Sequence, residues 1–287
     1  MRHTSSRLML LGAMLIFGTV GIFVYYIPLP SPAIAFARAV LGLLFLLAVM
    51  AFSQRKLQWR RLKRKLPLLL LSGAALGANW VFLFEAYSHT SVASATACYY
   101  LAPMFLVLSA PLLKEKLTGW RIGCVAIAFL GMVFVSGVLT GDAPQLQGIL
   151  LALGAAVLYA GVMVMNRMLI QTDSFDRTLV QLLVAAVAVL PYMLLRWQPD
   201  TLSKMTPVGW ILLGIVGILH TGVAYWLYFA SVGKLPSQTV AVLSYLDPVV
   251  AILLGALLLR QKIDVFGIIG SGLILGSALF CELRKSK

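Results

Sequence analysis

The sequence predicts an all-α membrane protein of ten transmembrane helices, arranged as two inverted five-helix repeats. Three observations lead there. Hydrophobic residues make up 61% of the 287 positions and charged residues only 11%, far more apolar than a water-soluble core requires. Apolar stretches of about 20 residues, the length that crosses a bilayer, recur from end to end with short connections. Sliding the chain on itself by 145 residues pairs Trp80 with Tyr225, Phe84 with Phe229, Tyr100 with Tyr245, Leu101 with Leu246 and Pro103 with Pro248.

The first span, 8–27, follows Arg2 and Arg7 as a signal peptide would, but it continues without a small-x-small cleavage site and so predicts a retained helix. The second, 33–52, carries Arg38; a shift of 143 pairs Arg38 with Gln181 and Met50 with Met193. The third, 67–88, places Asn79, Trp80, Leu83 and Tyr87 on one face. The fourth, 92–113, holds Thr96, Tyr99, Tyr100 and the helix breaker Pro103, and the fifth is 118–138. The sixth and seventh, 147–169 and 177–196, open the second copy. The eighth, 208–231, sets His220, Thr221, Tyr225 and Tyr228 on a broad face, with Trp226 beside them. The ninth, 236–259, contains Asp247 directly before Pro248, and the tenth is 264–283. The repeats are expected at 1–142 and 143–287.

Five spans is an odd number, so the second copy enters the membrane from the opposite side. Inverted repeats with interrupted helices at matching positions point to an alternating-access carrier with its site near the midplane. Pro103 and Pro248 are the expected interruptions. Each removes a backbone hydrogen bond and frees a carbonyl that lipid cannot satisfy but a water-lined or substrate-lined cavity can.

The formal charge of +14 sorts by connection. Eighteen Lys and Arg fall at the N-terminus, the C-terminus and every second connection, including the run "RKLQWRRLKRKL"; four fall on the other side, and Arg38 lies within a span. The positive-inside rule then places both termini in the cytoplasm of a bacterial-type plasma (inner) membrane. It makes the basic run a topology determinant against anionic headgroups, with no call for nucleic acid as a partner. Cys98, Cys124 and Cys281 all fall in spans, with no CxxC pair and no histidine at ligand spacing, so neither a metal site nor a cofactor is expected. His3, His89 and His220 are too dispersed for a membrane-embedded enzyme.

Ionisable groups deep in a bilayer are costly unless paired or facing water. Asp247, with His220 as second choice, is the candidate for carrying a coupling proton, and Glu85 is kept as a possible cation or proton site. On a helical wheel Glu85 lies about 120° from Asn79, so Glu85 and Arg38 are expected to form a structural ion pair, with snorkelling as the alternative for Arg38. The substrate-contacting set is expected to be Asn79, Trp80, Tyr99, Tyr100, Tyr225 and Tyr228, an aromatic lining suited to planar rings or organic cations. The glycine pairs 73/77, 119/123 and 272/276 predict close helix approach, within a monomer or across a homodimer.

The segment "CYYLAPMFLVLSAPLLKEKLTG", its counterpart "SYLDPVVAILLGALLLRQK" and the doubled five-helix unit resemble the EamA-type transporters of the drug/metabolite transporter superfamily. The resemblance covers essentially the whole chain. Pro103 followed twelve residues on by Glu115 fits the family pattern; Arg260 stands at the matching place in the second copy, and Asp247 where glutamate often precedes the second proline. It implies a basket-shaped bundle whose cavity is lined by spans one, three, four, six, eight and nine. It also implies movement of small metabolites, amino acids or drugs, often outward and often driven by protons. The function expected is therefore a proton-coupled exporter or exchanger of small organic metabolites such as amino acids. The alternatives are an organic-cation or drug carrier, or a facilitative uniporter or channel.

Overall fold

The computed structural model describes residues 2–113, 118–135, 143–169, 171–232, 235, 243–244, 246–260 and 265–285. Tyr245 and Glu115 lie outside these residues. The described chain is all-helical: α1 Arg2–Tyr25, α2 Ser31–Phe52, α3 Trp59–Lys63, α4 Leu66–His89, α5 Val92–Tyr99, α6 Ala102–Leu108, α7 Gly119–Val135, α8 Ala143–Met168, α9 Ser174–Arg196, α10 Pro207–Gly217, α11 Ala224–Val232, α12 Leu246–Leu258 and α13 Val265–Lys285. A π-helical segment, Ile218–Val223, joins α10 to α11.

Among the described residues six apolar stretches are long enough to cross a membrane: Thr4–Tyr25, Ser31–Phe52, Leu66–His89, Leu146–Met168, Ser174–Arg196 and Pro207–Tyr228. Four shorter ones, Val92–Leu108, Gly119–Val135, Leu246–Leu258 and Val265–Cys281, fall on the other expected spans. The fourth span breaks at Tyr100–Leu101, so α5 and α6 are separate helices. The short basic helix α3 falls within the basic run that connects the second and third spans.

Local sequence sets the boundaries. Pro32, Pro67 and Pro207 sit in the first turns of α2, α4 and α10, where a missing N–H is no loss. Ser91, Asp173 and Thr206 cap α5, α9 and α10, each side chain accepting from a first-turn backbone N–H. Asp173 also pairs with Arg55, which lies 3.4 Å from the fully buried Asp176.

The bundle is apolar outside and locally polar inside, the reverse of a soluble protein. Leu71, Leu130, Leu150, Val187, Ile211, Leu257 and Ile268 are exposed, whereas Ser72, Asn79, His220 and Thr221 have no accessible surface. That is the arrangement lipid selects, since a polar group on the outer face would lose its hydrogen bonds.

Helices of the N-terminal half pack mainly on helices of the C-terminal half: α1 on α11 and α12, α2 on α9 and the π segment, α4 on α8 and α9, α5 on α8 and α12, and α7 on α13. Glycines set the closest approaches. A Cβ on Gly18 would lie 2.6 Å from the Asp247 carbonyl oxygen, and one on Gly42 would lie 2.5 Å from Thr221 Cγ2. Gly73 and Gly77 are likewise crowded by α9, as expected from their spacing. Gly119, Gly123, Gly272 and Gly276 face open space instead, and the close crossing of α7 and α13 is made by Gly131 against Gly270. The 3.6-residue period explains the difference, because Gly131 and Gly270 lie on other faces of their helices than the glycine pairs.

Candidate functional site

The break in the fourth span builds the centre of the site. The N–H groups of Tyr100 and Leu101 fold back on the Thr96 and Cys98 carbonyls, ending α5, and α6 restarts with Pro103 in its first turn. Lacking an N–H, Pro103 leaves the carbonyl of Tyr99 without its helical donor. The two tyrosines at this end diverge. Tyr100 donates its hydroxyl hydrogen to Asp247 Oδ2, while the Tyr99 hydroxyl accepts from Asn79 Nδ2 at 3.2 Å. The Tyr99 ring stacks on Tyr159 of α8 at 5.3 Å between centroids.

Asp247 stands in the first turn of α12, where the positive end of the helix dipole favours a carboxylate. Pro248 beside it also sits in that first turn. Asn79 Oδ1 is buried with no hydrogen-bond partner among the described residues.

The second feature is the π segment. One extra residue in its turn moves the side chains of His220 and Thr221 over the carbonyls five residues back. His220 Nδ1 donates to the Ile215 carbonyl at 3.2 Å, and Thr221 Oγ1 donates to the Val216 carbonyl at 3.1 Å. Thr19 Oγ1 lies 2.8 Å from both His220 Nε2 and the Ile16 carbonyl, so its single proton serves one acceptor at a time. Phe23 packs on the imidazole ring, with centroids 4.9 Å apart.

Arg38 departs from expectation. Its Nε donates to Thr221 Oγ1 at 2.7 Å, and its guanidinium lies over the Trp80 ring at 4.4 Å. It is 5% exposed and makes no ion pair with Glu85. Glu85 instead accepts from Ser31 Oγ at 2.7 Å and lies 3.6 Å from His89 Nε2. The expected pair fails because Arg38 turns inward toward the π segment whereas Glu85 stays near the end of α4. Glu85 lines a separate cavity of about 350 Å³ with Phe82, Leu151, Val189 and Tyr192, a lining that includes none of Tyr99, Tyr100, Tyr225 and Tyr228.

The structure therefore brings together Asn79, Tyr99, Tyr100 and Asp247, and sets Trp80 beneath Arg38 against the π segment. Tyr99, Tyr100, Tyr225 and Asp247 each keep part of their surface accessible. Tyr225 packs against Phe17 at 5.5 Å, and Tyr228 packs against the cluster of Leu10, Ala13, Met14 and Leu235. Trp226 is 43% exposed and turns away from this lining. Sequence reasoning missed Thr19 and Tyr159; a mid-span tyrosine in the sixth span was the available signal for the latter.

Comparison with known proteins agrees with this architecture. The model of the EamA-like transporter family matches residues 4–137 and again 146–282. An uncharacterized transporter of Bacillus subtilis (strain 168), YxxF, is 31% identical over 283 residues, covering 96% of this chain and 89% of that one. A protein of Escherichia coli (strain K12) named "Probable amino-acid metabolite efflux pump" is 27% identical over 229 residues, 74% of this chain and 75% of that one. A solved crystal structure shares the fold with a TM-score of 0.63 at 20% identity, over 96% of both chains. The chain belongs to the EamA-like transporter family of the drug/metabolite transporter superfamily, and it is a multi-pass membrane transporter.

Proposed function

We propose that the protein is a secondary active exporter or exchanger of small organic metabolites of the amino-acid class, working by alternating access, with Asp247 exchanging the coupling proton. The observation that carries this reading is the Tyr100–Asp247 hydrogen bond. It joins the break of the fourth span, beside Pro103, to the segment 145 residues on that matches it in sequence and carries Pro248. A carboxylate that gains or loses a proton makes or releases this bond and so biases how the halves sit together.

The helix pairing supports two inverted repeats, 1–142 and 143–287. Exchanging each span for its counterpart turns the α1–α12 contact into the contact of α8 with α5 and α6, and the α2–π contact into the α4–α9 contact. Substrate would lie against Tyr99, Tyr100 and Tyr225, with Asn79 and Trp80 reached behind them as the site opens and Tyr228 at the end nearer the α1 terminus, and His220 would back Asp247 in proton transfer. The charge asymmetry supports cytoplasmic termini in a bacterial inner membrane. The name of the Escherichia coli relative supports the amino-acid class. Organic cations fit less well, because Glu85 lies away from the tyrosines and the interior already holds the Arg38 cation.

Counterflow in liposomes tests this reading. Vesicles loaded with an unlabelled amino-acid pool should take up labelled amino acid transiently above equilibrium. Uptake that never exceeds equilibrium under any loading would indicate a channel, and selective uptake of amines would indicate the cation carrier.

A further inference from the structure

Arg38 is the charged group in this interior whose position the mechanism above does not use. A guanidinium taken out of water is costly unless its donors are met. Arg38 is 5% exposed, and among the described residues no carboxylate lies within ion-pair distance of it. Of its donors, Nε alone has a hydrogen-bond acceptor among the described residues, Thr221 Oγ1. That acceptor is itself fixed, because its own proton is committed to the Val216 carbonyl through the π turn.

The guanidinium is thus held on three sides. Trp80 covers one face, Phe84 lies 5.7 Å away, and Thr221 fixes the Nε edge. Glycines keep this arrangement close: a Cβ at Gly217 or Gly222 would come within 2.4 or 2.5 Å of Leu41 or Phe45, side chains of Arg38's own helix. What remains is the pair of terminal nitrogens, two parallel donors in the geometry that matches a carboxylate. Trp80, under the guanidinium face, is the neighbour in α4 of Asn79, which donates to the Tyr99 hydroxyl.

We propose that Arg38 is the residue that recognises the substrate, by binding a carboxylate through its two terminal nitrogens, and that the substrates are small carboxylates of the α-amino-acid type. The inference rests on the reading of this interior as the substrate site. Asp247 in the same interior complements it, since a zwitterion presents a carboxylate to Arg38 while its ammonium matches the acid. Arg38 would then accept the substrate's charge where an organic amine would be repelled.

The test is thermal unfolding of the purified full-length protein in detergent, with the twenty common amino acids as probes, followed by the methyl ester and the decarboxylated amine of each one that stabilises. At least one free amino acid should raise Tm, and its ester and amine should not. Arg38→Gln should weaken binding of that acid on the order of tenfold to a hundredfold, the loss expected for hydrogen bonds to a charged group, and Arg38→Lys should retain part of it. If Arg38→Gln does not fold, the acid, ester and amine series on the native protein still decides. An ester or amine that binds as tightly as the acid, full affinity in Arg38→Gln, or no response to any amino acid overturns the proposal. Tyr99→Ala and Tyr225→Ala separate it from the parent reading. Loss of acid binding in these variants but not in Arg38→Gln removes the role of Arg38 alone, whereas full affinity in all three places the site elsewhere.

Discussion

The hydroxyl of Tyr100, at the end of α5, donates to the carboxylate of Asp247, in the first turn of α12. This bond joins the end of α5 to the first turn of α12, so it is sensitive both to their spacing and to the protonation of the acid. Tyr100→Phe deletes the donor and leaves the ring. A hydrogen bond to a charged partner is worth roughly 1.5–3 kcal/mol, so transport in liposomes should slow by about tenfold or more while the protein still folds. An unchanged rate would mean that the bond has no part in the transport cycle.

Thr221 joins the π segment to Arg38. Thr221→Val keeps the shape but leaves the buried Nε without its acceptor, a loss of about 1–3 kcal/mol. Thermal unfolding in detergent should report a clear fall in Tm. Thr221→Ser, which retains the hydroxyl, should recover most of it.

Glycine positions separate close approach from mere spacing. Gly131→Ala would set a methyl group 2.6 Å from the Gly270 carbonyl oxygen and should destabilise the α7–α13 crossing by roughly 1–3 kcal/mol. Gly123→Ala, which faces open space, should leave Tm nearly unchanged. Equal effects would show that the two helices cross elsewhere.

These contrasts indicate what the sequence could reveal. The break before Pro103 was legible because proline acts through the local backbone, and the apolar spans were legible because lipid demands long hydrophobic runs. The tyrosines and Asp247 stood out as polar groups inside those runs. The partner of Arg38 was not legible: side-chain direction depends on the π turn, and no residue type in Ile218–Val223 announces a π turn. Nor could a glycine motif say which face meets a neighbour, since Gly131 and Gly270 lack the spacing of the 119/123 and 272/276 pairs yet make the contact.

The charge asymmetry predicts sidedness. Arg60 and Lys204 are both exposed, on connections assigned to opposite sides, and the native cysteines Cys98, Cys124 and Cys281 are buried. In intact cells a membrane-impermeant thiol reagent should label Lys204→Cys and spare Arg60→Cys until the membrane is opened. The reverse pattern would invert the topology.

The most direct test of the central claim is proton movement in liposomes that enclose a pH-sensitive dye and carry either the native protein or Asp247→Asn. Native vesicles should show proton flux on addition of an amino-acid pool, and Asp247→Asn should abolish that flux while still folding. Proton-coupled accumulation at the native rate in Asp247→Asn would contradict the account and return Asp247 to a structural role.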